Sequence, residues 1–572
     1  MKNEITICVG GRQGEGIASL GTMLSQSLVD YGYHVFGYRN FSSRIKGGPS
    51  SYNLRISTTP IETNRKKIDI LLALDQDAYS LHIDLLSQDA LLITDDQLNA
   101  NKLSLRKFGS DLSFPIIKKG KELGNAIYGN TIALGILASI LSLPEEIIKS
   151  NIIKQFSKNP KILEANLQAF KLGYHAISIE YKKRLAEPQK KDFSMITGNS
   201  ALSLGFLAGG CKFMAAYPIT PASEIMETMA KLLPSVGGTL IQAEDEIAAV
   251  TMAIGASYAG IRSIAATSGP GLSLMSEAIS LSGMAEVPLV VVDVQRAGPS
   301  TGMPTKQEQS DILTTLCSGH GDFPKIIISP GNPEECFYDA IRGLNLAEYY
   351  QCPVIILSDL KLGLSEYTAR QPDYHSIKIE RGSFIEQKVL DKRGESFFPR
   401  YAHTESGISP RAIPGQRNGI FYTTGVEHNE IGYSDTSDSA RKKMQDKRLK
   451  KLMDIELDQS YNYRTAGSSI LIIGLGSTKG ILDEIFEAYK DKSFASVDIL
   501  QLRVLAPFPR SIKKILDNYN KLVFIENNAG NQLYKLFRMH VNLSQEIYHF
   551  SKYDGTYINV DEVEEYIEGS VI

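Results

Sequence analysis

Apolar and polar positions along the chain read as strand, loop and helix in turn over three stretches, and lose that order in two others. In the first stretch, residues 4–9 predict a strand, Gly10-Gly-Arg-Gln-Gly-Glu-Gly16 a loop and residues 17–30 an amphipathic helix; further strands are predicted at 33–38, 68–74 and 90–94. Residues 181–192 are charged, contain Pro188 and hold few apolar side chains, as a linker does. The second stretch predicts strands at 238–242, 262–266, 287–294, 325–329 and 353–357, with helical segments between them. Val287-Pro-Leu-Val-Val-Val-Asp-Val294 is almost wholly apolar, which suits a central parallel strand covered on both faces. From 366 to 465 the pattern weakens, and the basic run from Arg441 to Lys451 at its end reads as the solvated face of a helix. A third ordered stretch opens with Ser469-Ile-Leu-Ile-Ile-Gly-Leu-Gly476 and continues as a helix over 478–489 and strands at 496–500 and 522–525. Repeated alternation of this kind predicts the α/β class. The expected architecture is three doubly wound domains with mostly parallel sheets, at 1–185, 193–365 and 466–572, with a connecting segment at 366–465.

Composition bears on function more than on fold. At about 150 residues per domain, the 572-residue chain has room for three or four domains, and 43% hydrophobic with 22% charged residues is typical of a soluble globular protein. A net charge of −3 gives no electrostatic reason to expect nucleic acid or an anionic membrane as partner. The longest apolar stretch, 131–143, is too short to span a bilayer. No secretory pattern opens the chain, so a reduced cytoplasm is the expected location. Cys8, Cys211, Cys317, Cys336 and Cys352 form no C-x-x-C pair, which predicts neither a disulfide framework nor a zinc or iron–sulfur site made by this chain alone.

The loop at 10–16 lies between a predicted strand and helix, where free backbone N–H groups and the helix dipole favour an anion. Its spacing is not G-x-G-x-x-G, and the next strand ends in Tyr38-Arg-Asn, without an acid for a ribose. Gly474-Leu-Gly476 is an equally weak match, and a tight turn accounts for either loop as well as a ligand does.

The second stretch holds the densest chemistry. Glu244, in Gln242-Ala-Glu244-Asp-Glu-Ile-Ala-Ala, precedes a helix-like segment, and 23 residues later comes Thr267-Ser-Gly-Pro-Gly271. Glu246 is a rival acid two positions on, and a dipole-stabilised helix-terminal acid is the plain alternative for Glu244. Arg296 follows the apolar strand and so falls at the carboxyl edge of a parallel sheet, where such folds bind ligands. A guanidinium there suits a carboxylate in planar, bidentate fashion, whereas a surface arginine would serve no such purpose. Thr220 stands next to Pro221 in Tyr217-Pro218-Ile219-Thr220-Pro221, a turn that alone would be structural.

Taken together, Ala216-Tyr-Pro-Ile-Thr-Pro-Ala-Ser-Glu224, Gln242-Ala-Glu244, Thr267-Ser-Gly-Pro-Gly271 and Gln295-Arg-Ala-Gly-Pro-Ser-Thr-Gly302 closely resemble the alpha subunit of the 2-oxoacid:ferredoxin oxidoreductases. The first stretch, with Gly10–Gly16, Phe41-Ser-Ser-Arg44-Ile-Lys46-Gly-Gly48 and Asn53-Leu-Arg55, looks like the gamma domain that many members fuse ahead of alpha. Thr423-Thr-Gly-Val-Glu-His428 and Lys447-Arg448 are similar to the family's connecting segment, and the third stretch to a transketolase C-terminal domain. The resemblance implies a thiamine diphosphate pyrimidine-binding domain at 193–365. There Glu244 would contact the aminopyrimidine, with Tyr217, Pro218, Ile219, Ser268 and Gly269 lining the cofactor and Thr220 beside the keto group. Arg296, with Arg44 and Lys46 of the first stretch, would hold the substrate carboxylates.

The family's diphosphate motif, Gly-Asp-Gly followed by Asn-Asn, is not found in the sequence, nor is a cysteine set for a cluster. The resemblance therefore implies a beta subunit that carries Mg²⁺, the diphosphate site and the iron–sulfur cluster. The implied reaction is oxidative decarboxylation of a 2-oxoacid, with 2-oxoglutarate expected, to acyl-CoA and CO₂; coenzyme A takes the acyl group and ferredoxin the electrons. Two other classes stay open on the residues alone: a nicotinamide oxidoreductase using Gly10–Gly16, and a non-catalytic assembly subunit.

Overall fold

The computed structural model describes residues 2–41, 48–98, 109–178, 181–182, 185–188, 193–394, 396–492 and 495–572. Its contacts divide into two compact units, each built from separated pieces of the chain: Met1–Thr197 with Leu364–Gln371 and Ile558–Ser570, and Gly198–Gly363 with Pro372–Tyr557 and Val571–Ile572.

The first unit is organised on an eight-stranded sheet in the order Ser110–Phe114, Leu86–Asp95, Ile68–Ala73, Glu4–Arg12, Pro49–Ser57, His34–Phe41, Glu366–Arg370, Phe193–Thr197. The first four strands are mutually parallel, and the rest pair antiparallel. Half the sheet therefore departs from the parallel expectation. The reason is local: only residues 42–48 join His34–Phe41 to Pro49–Ser57, fewer than the dozen or so that a parallel crossover needs. Phe193–Thr197, which the expected boundary at 193 puts in the second domain, is the edge strand of this sheet. The glycine loop forms a tight turn. Gly16 takes φ +89 just before the helix Ile17–Tyr31, a conformation glycine adopts without strain. The Glu15 carbonyl accepts from Asn130 Nδ2 at 2.5 Å, and a Cβ on Gly16 would strike that same amide. Arg65 pairs at 3.0 Å with both Asp561 and Glu564, tying residues from the far end of the chain into this unit.

The second unit contains two sheets. The larger has the order Val504–Ala506, Ile326–Ile328, Pro353–Asp359, Leu289–Gln295, Ser263–Thr267, Phe213–Ala216, Thr239–Gln242, all parallel except the first. Leu289–Gln295 is central and wholly buried, as its apolar run requires. The smaller sheet, Tyr461–Arg464, Asp498–Leu502, Ile470–Leu475, Lys521–Glu526, Glu546–Ser551, shares one hydrophobic core with it through Leu471, Ile473, Leu500 and Phe524.

The stretch with weak periodicity has a small apolar cluster around Leu390, Phe398 and Ala412, and buried charge fastens it further. Arg262, Arg381 and Arg411 converge on Glu348 at 2.7–2.8 Å. In the basic run, Asp438–Lys450 is a helix as expected, and Arg441, Lys442, Lys443 and Lys450 are exposed, but its other side is not solvated: Lys447 and Lys451 reach the fully buried Glu286 at 2.6 and 2.5 Å, and Arg448 is bidentate on Glu427. Basic residues at helical spacing look the same whether they face water or a buried acid, and here the acid lies 161 residues away.

Candidate active site

Parallel strands bring five turns to one edge of the seven-stranded sheet: those after Phe213–Ala216, Thr239–Gln242, Ser263–Thr267, Leu289–Gln295 and Pro353–Asp359. Most of the predicted residues fall on these turns. Tyr217 is 41% exposed and Pro218 is exposed, while Ile219 and Thr220 are half-buried. Glu244 lies on the exposed turn between Gln242 and the helix Glu246–Tyr258, and that helix is capped by Asp245, whose carboxylate accepts from Ala248 N at 2.7 Å.

Glu246 takes the buried place. It opens the helix, is 6% exposed, and packs against the Ser-Gly-Pro-Gly turn: a Cβ on Gly271 would fall 2.7 and 2.8 Å from its Cγ and Oε1 and collide with the Thr267 hydroxyl. Gly271 is thus required by the close approach of a carboxylate and a hydroxyl. Ser268 is fully buried, and its hydroxyl has no hydrogen-bond partner. Gly269 starts the helix Gly269–Met284, with Pro270 in its first turn, where the absent N–H costs nothing.

Arg296 and Thr220 meet, though they are 76 residues apart. Arg296 is 7% exposed and donates from Nη1 to the Thr220 carbonyl at 2.5 Å and from Nη2 to the Thr301 carbonyl at 3.3 Å; Nε has no partner. Burial pulls its guanidinium below the usual value, and Asp311 opposes that pull. Arg44 and Lys46 lie outside the described residues.

Beside Arg296 opens a cavity of about 700 Å³, lined by Gly269, Pro270, Glu308, Asp311, Asn528 and Gln532 among others. Sequence reasoning passed over its acids. Asp311 meets Gly269 so closely that a Cβ there would lie 2.7 and 2.9 Å from its two carboxylate oxygens. Asp293 stands in register with Thr267 on the neighbouring strand, fully buried, with neither oxygen hydrogen-bonded. Burial, with Asp311 beside it, pushes Asp293 well above the carboxylate range. Burial and Glu308 push Asp311 up to about 6 against the pull of Arg296. Asp359, one strand away, makes the contrast: it accepts from Gln309, Leu362 and Ser477. The signal in the sequence was one acid inside Val-Val-Val-Asp-Val, where an apolar strand has no use for a charge.

Three family models match the chain: "Pyruvate flavodoxin/ferredoxin oxidoreductase, thiamine diP-bdg" over residues 205–447, "Pyruvate ferredoxin/flavodoxin oxidoreductase" over 6–176, and "Pyruvate:ferredoxin oxidoreductase core domain II" over 468–563. A 2-oxoacid:ferredoxin oxidoreductase subunit alpha from Sulfolobus sp is 33% identical over 93% of this chain and 92% of its own length. The 2-oxoglutarate oxidoreductase subunit KorA of Mycobacterium tuberculosis is 30% identical over 93% and 87%. A solved structure of the 2-oxoglutarate:ferredoxin oxidoreductase from Magnetococcus marinus, with 2-oxoglutarate, coenzyme A and succinyl-CoA bound, superposes with a TM-score of 0.91 at 33% identity, covering 99% of this chain and 100% of that one. With a thiamine diphosphate-binding domain at its centre and relatives matched along nearly their whole length, this chain belongs to the alpha subunits of the 2-oxoacid:ferredoxin oxidoreductases, and is an oxidoreductase subunit.

Proposed function

We propose that this chain and a beta subunit together oxidise 2-oxoglutarate to succinyl-CoA and CO₂, passing electrons to ferredoxin. The names of the Mycobacterium relative and the Magnetococcus structure favour that substrate. Mg²⁺, the diphosphate end of thiamine diphosphate and the iron–sulfur cluster are assigned to the partner, because the chain has no diphosphate motif of its own. The sheet edge fits the pyrimidine half: a buried carboxyl at Glu246, a buried hydroxyl at Ser268 awaiting a partner, and two glycines that leave room.

The observation that carries this reading is the burial of Glu246 against Gly271 inside the matched thiamine-binding region. It also moves the expected role from Glu244 to Glu246. A carboxyl that exchanges a proton with a bound ring works best where water is excluded, and the exposed Glu244 is left to the rim, where a partner subunit can cover it. Thiamine diphosphate, when bound, supplies a carbon nucleophile and an electron sink. The chain does the rest. Glu246 holds and moves a proton at its carboxyl, Ser268 offers a hydrogen bond beneath the turn, and Tyr217, Pro218 and Ile219 form the apolar rim. Arg296, steadied by the carbonyls of Thr220 and Thr301, keeps N–H groups free for the substrate's 1-carboxylate, with Thr220 beside the keto oxygen. Arg44 and Lys46 are assigned to the second carboxylate on sequence grounds.

Co-expression with the beta subunit, then assay of CoA-dependent viologen reduction over a panel of 2-oxoacids, tests the reading. Reduction should be fastest with 2-oxoglutarate. A complex loaded with thiamine diphosphate and cluster that oxidises no 2-oxoacid refutes it, and a preference for pyruvate refutes the substrate.

A further inference from the structure

A cavity that receives an anion beside Arg296 should not be lined with negative charge, yet Glu308 and Asp311 lie on its wall and Asp293 lies behind Asp311. The guanidinium has Asp311 beside it, and Asp311 in turn has Glu308 and Asp293 as neighbours. We propose that Asp293 and Asp311 are a proton-holding pair: Asp293 stays protonated, and Asp311 takes up a proton as the anionic end of the substrate arrives beside Arg296. This inference rests on the reading of Arg296 as the group that binds the 2-oxoacid.

The geometry supports each half. Asp293 sits in the middle of a seven-stranded sheet, its strand wholly buried, and neither carboxyl oxygen has a hydrogen-bond donor. An ionised carboxylate in such a place costs several kcal/mol, so the neutral acid is the stable form. Asp311 lies between Asp293 and the open cavity: its backbone N–H is fixed by Gln295 Oε1 at 3.0 Å, its carboxyl presses on Gly269, and one oxygen is unpartnered. Among the described residues, the charged groups facing it are Arg296 from the turn after Leu289–Gln295, Glu308 from its own segment and Asp293 from the strand. The Asn528–Gln532 side of the cavity contributes amides, and the turn at 268–271 contributes no charge. Glu308 is itself half-buried and accepts from Gly298 N at 3.2 Å. With its ordinary value raised to about 6, Asp311 is mostly ionised at pH 7 and is the group that would take a proton from solvent when an incoming carboxylate adds negative charge beside it. Once protonated it offers an O–H donor next to the Arg296 fork.

Linkage fixes the sign. An anion that raises the Asp311 value binds with proton uptake, so its affinity falls as pH rises above about 6. The test uses the complete complex and glutarate, which has the carboxylates of 2-oxoglutarate without the keto group. Calorimetry at pH 7 in two buffers of different ionisation enthalpy should show uptake of nearly one proton on binding to wild type and none with Asp311→Asn. The KM for 2-oxoglutarate should rise by ~10-fold from pH 6.5 to 8 in wild type and stay flat in Asp311→Asn. Infrared spectroscopy of the unliganded complex at pH 7 should show a protonated carboxyl band that Asp293→Asn removes. Asp293→Asn is isosteric and keeps the site uncharged, so the band is read in a folded protein. Binding without proton uptake, a KM slope that survives Asp311→Asn, or no protonated carboxyl at pH 7 would overturn the proposal. So would a rise in melting temperature with Ca²⁺ or Mg²⁺ that Asp293→Asn abolishes, because the acids would then hold a cation. If the complex oxidises no 2-oxoacid, the functional reading fails instead, and the infrared band still reports on the pair.

Discussion

The strand Leu289–Gln295 has a buried acid near each end, and the two are treated in opposite ways. Before its start, Glu286 is fully enclosed and meets Lys447 and Lys451, with Arg400 close by. Burial alone would raise its value, but these cations overcome that and hold the carboxyl far below the usual range. Near its exit, Asp293 is equally enclosed and meets no donor, and its value moves the other way. One strand thus has a saturated acid that fastens the chain's least periodic segment and an unsaturated acid behind the cavity. Buried acids with every lone pair engaged belong to architecture; those left unpaired mark where a proton or ligand has business.

That contrast can be broken at either end. The largest effect should come from the sheet edge: Glu246→Gln is expected to cut turnover of the reconstituted complex by ~10²–10⁴-fold while leaving the fold intact, whereas Glu244→Gln should change it by less than about threefold. Equal losses for both, measured as kcat with circular dichroism alongside, would erase the distinction between buried and rim acid.

At the other end, Lys447→Met leaves Glu286 one cation short. Denaturant unfolding should register a loss of about 3–5 kcal/mol, the usual result of stranding half of a buried pair. The same pair gives a pH signature. A depressed native value means stability is present above the unfolded value of about 4.5 and drains away as pH falls below it.

Asp311→Asn should do the reverse. The native value of about 6 exceeds the unfolded one, so wild type loses stability as pH rises from about 4 to about 6. The variant should be more stable at pH 7 by on the order of 1–3 kcal/mol; a destabilised variant with an unchanged slope would show that the carboxylate is paired after all. The smallest effect is reserved for Lys442, on the same helix as Lys447 but paired with Asp446 in solvent. Lys442→Ala should move stability by less than about 0.5 kcal/mol, and a larger shift would undercut the claim that burial, not charge count, sets the helix's contribution.

How far these features were legible from residues depends on the range of the physics. Strands made by local pattern came through: the apolar run around Val291 and the alternations at 470–475 and 498–502 sit close to where periodicity puts them. The alpha-subunit motifs bring Thr220 and Arg296 into one reading, and the guanidinium of one does meet the backbone of the other. What fails depends on distant partners. Lys447 and Arg448 read as solvated because their acids, Glu286 and Glu427, are not neighbours in sequence. The choice between Glu244 and Glu246 turns on register within a helix start, and it is the Asp245 cap that fixes the register. Phe193–Thr197 reads as part of the second domain because it follows the charged linker at 181–192, and a linker does not say which sheet the next residues join.

The first unit is assembled from three separate parts of the chain, two of which supply the strands of its sheet. A ribosome that has made only the first 197 residues has yet to make Glu366–Arg370, the strand that separates His34–Phe41 from the edge. It has also not made Asp561 and Glu564, the partners of Arg65. The N-terminal region therefore reaches its final form late in synthesis, and a gene cut between residues 197 and 198 would yield a fragment with a gap in its sheet and an arginine two of whose counter-charges are encoded on the other piece.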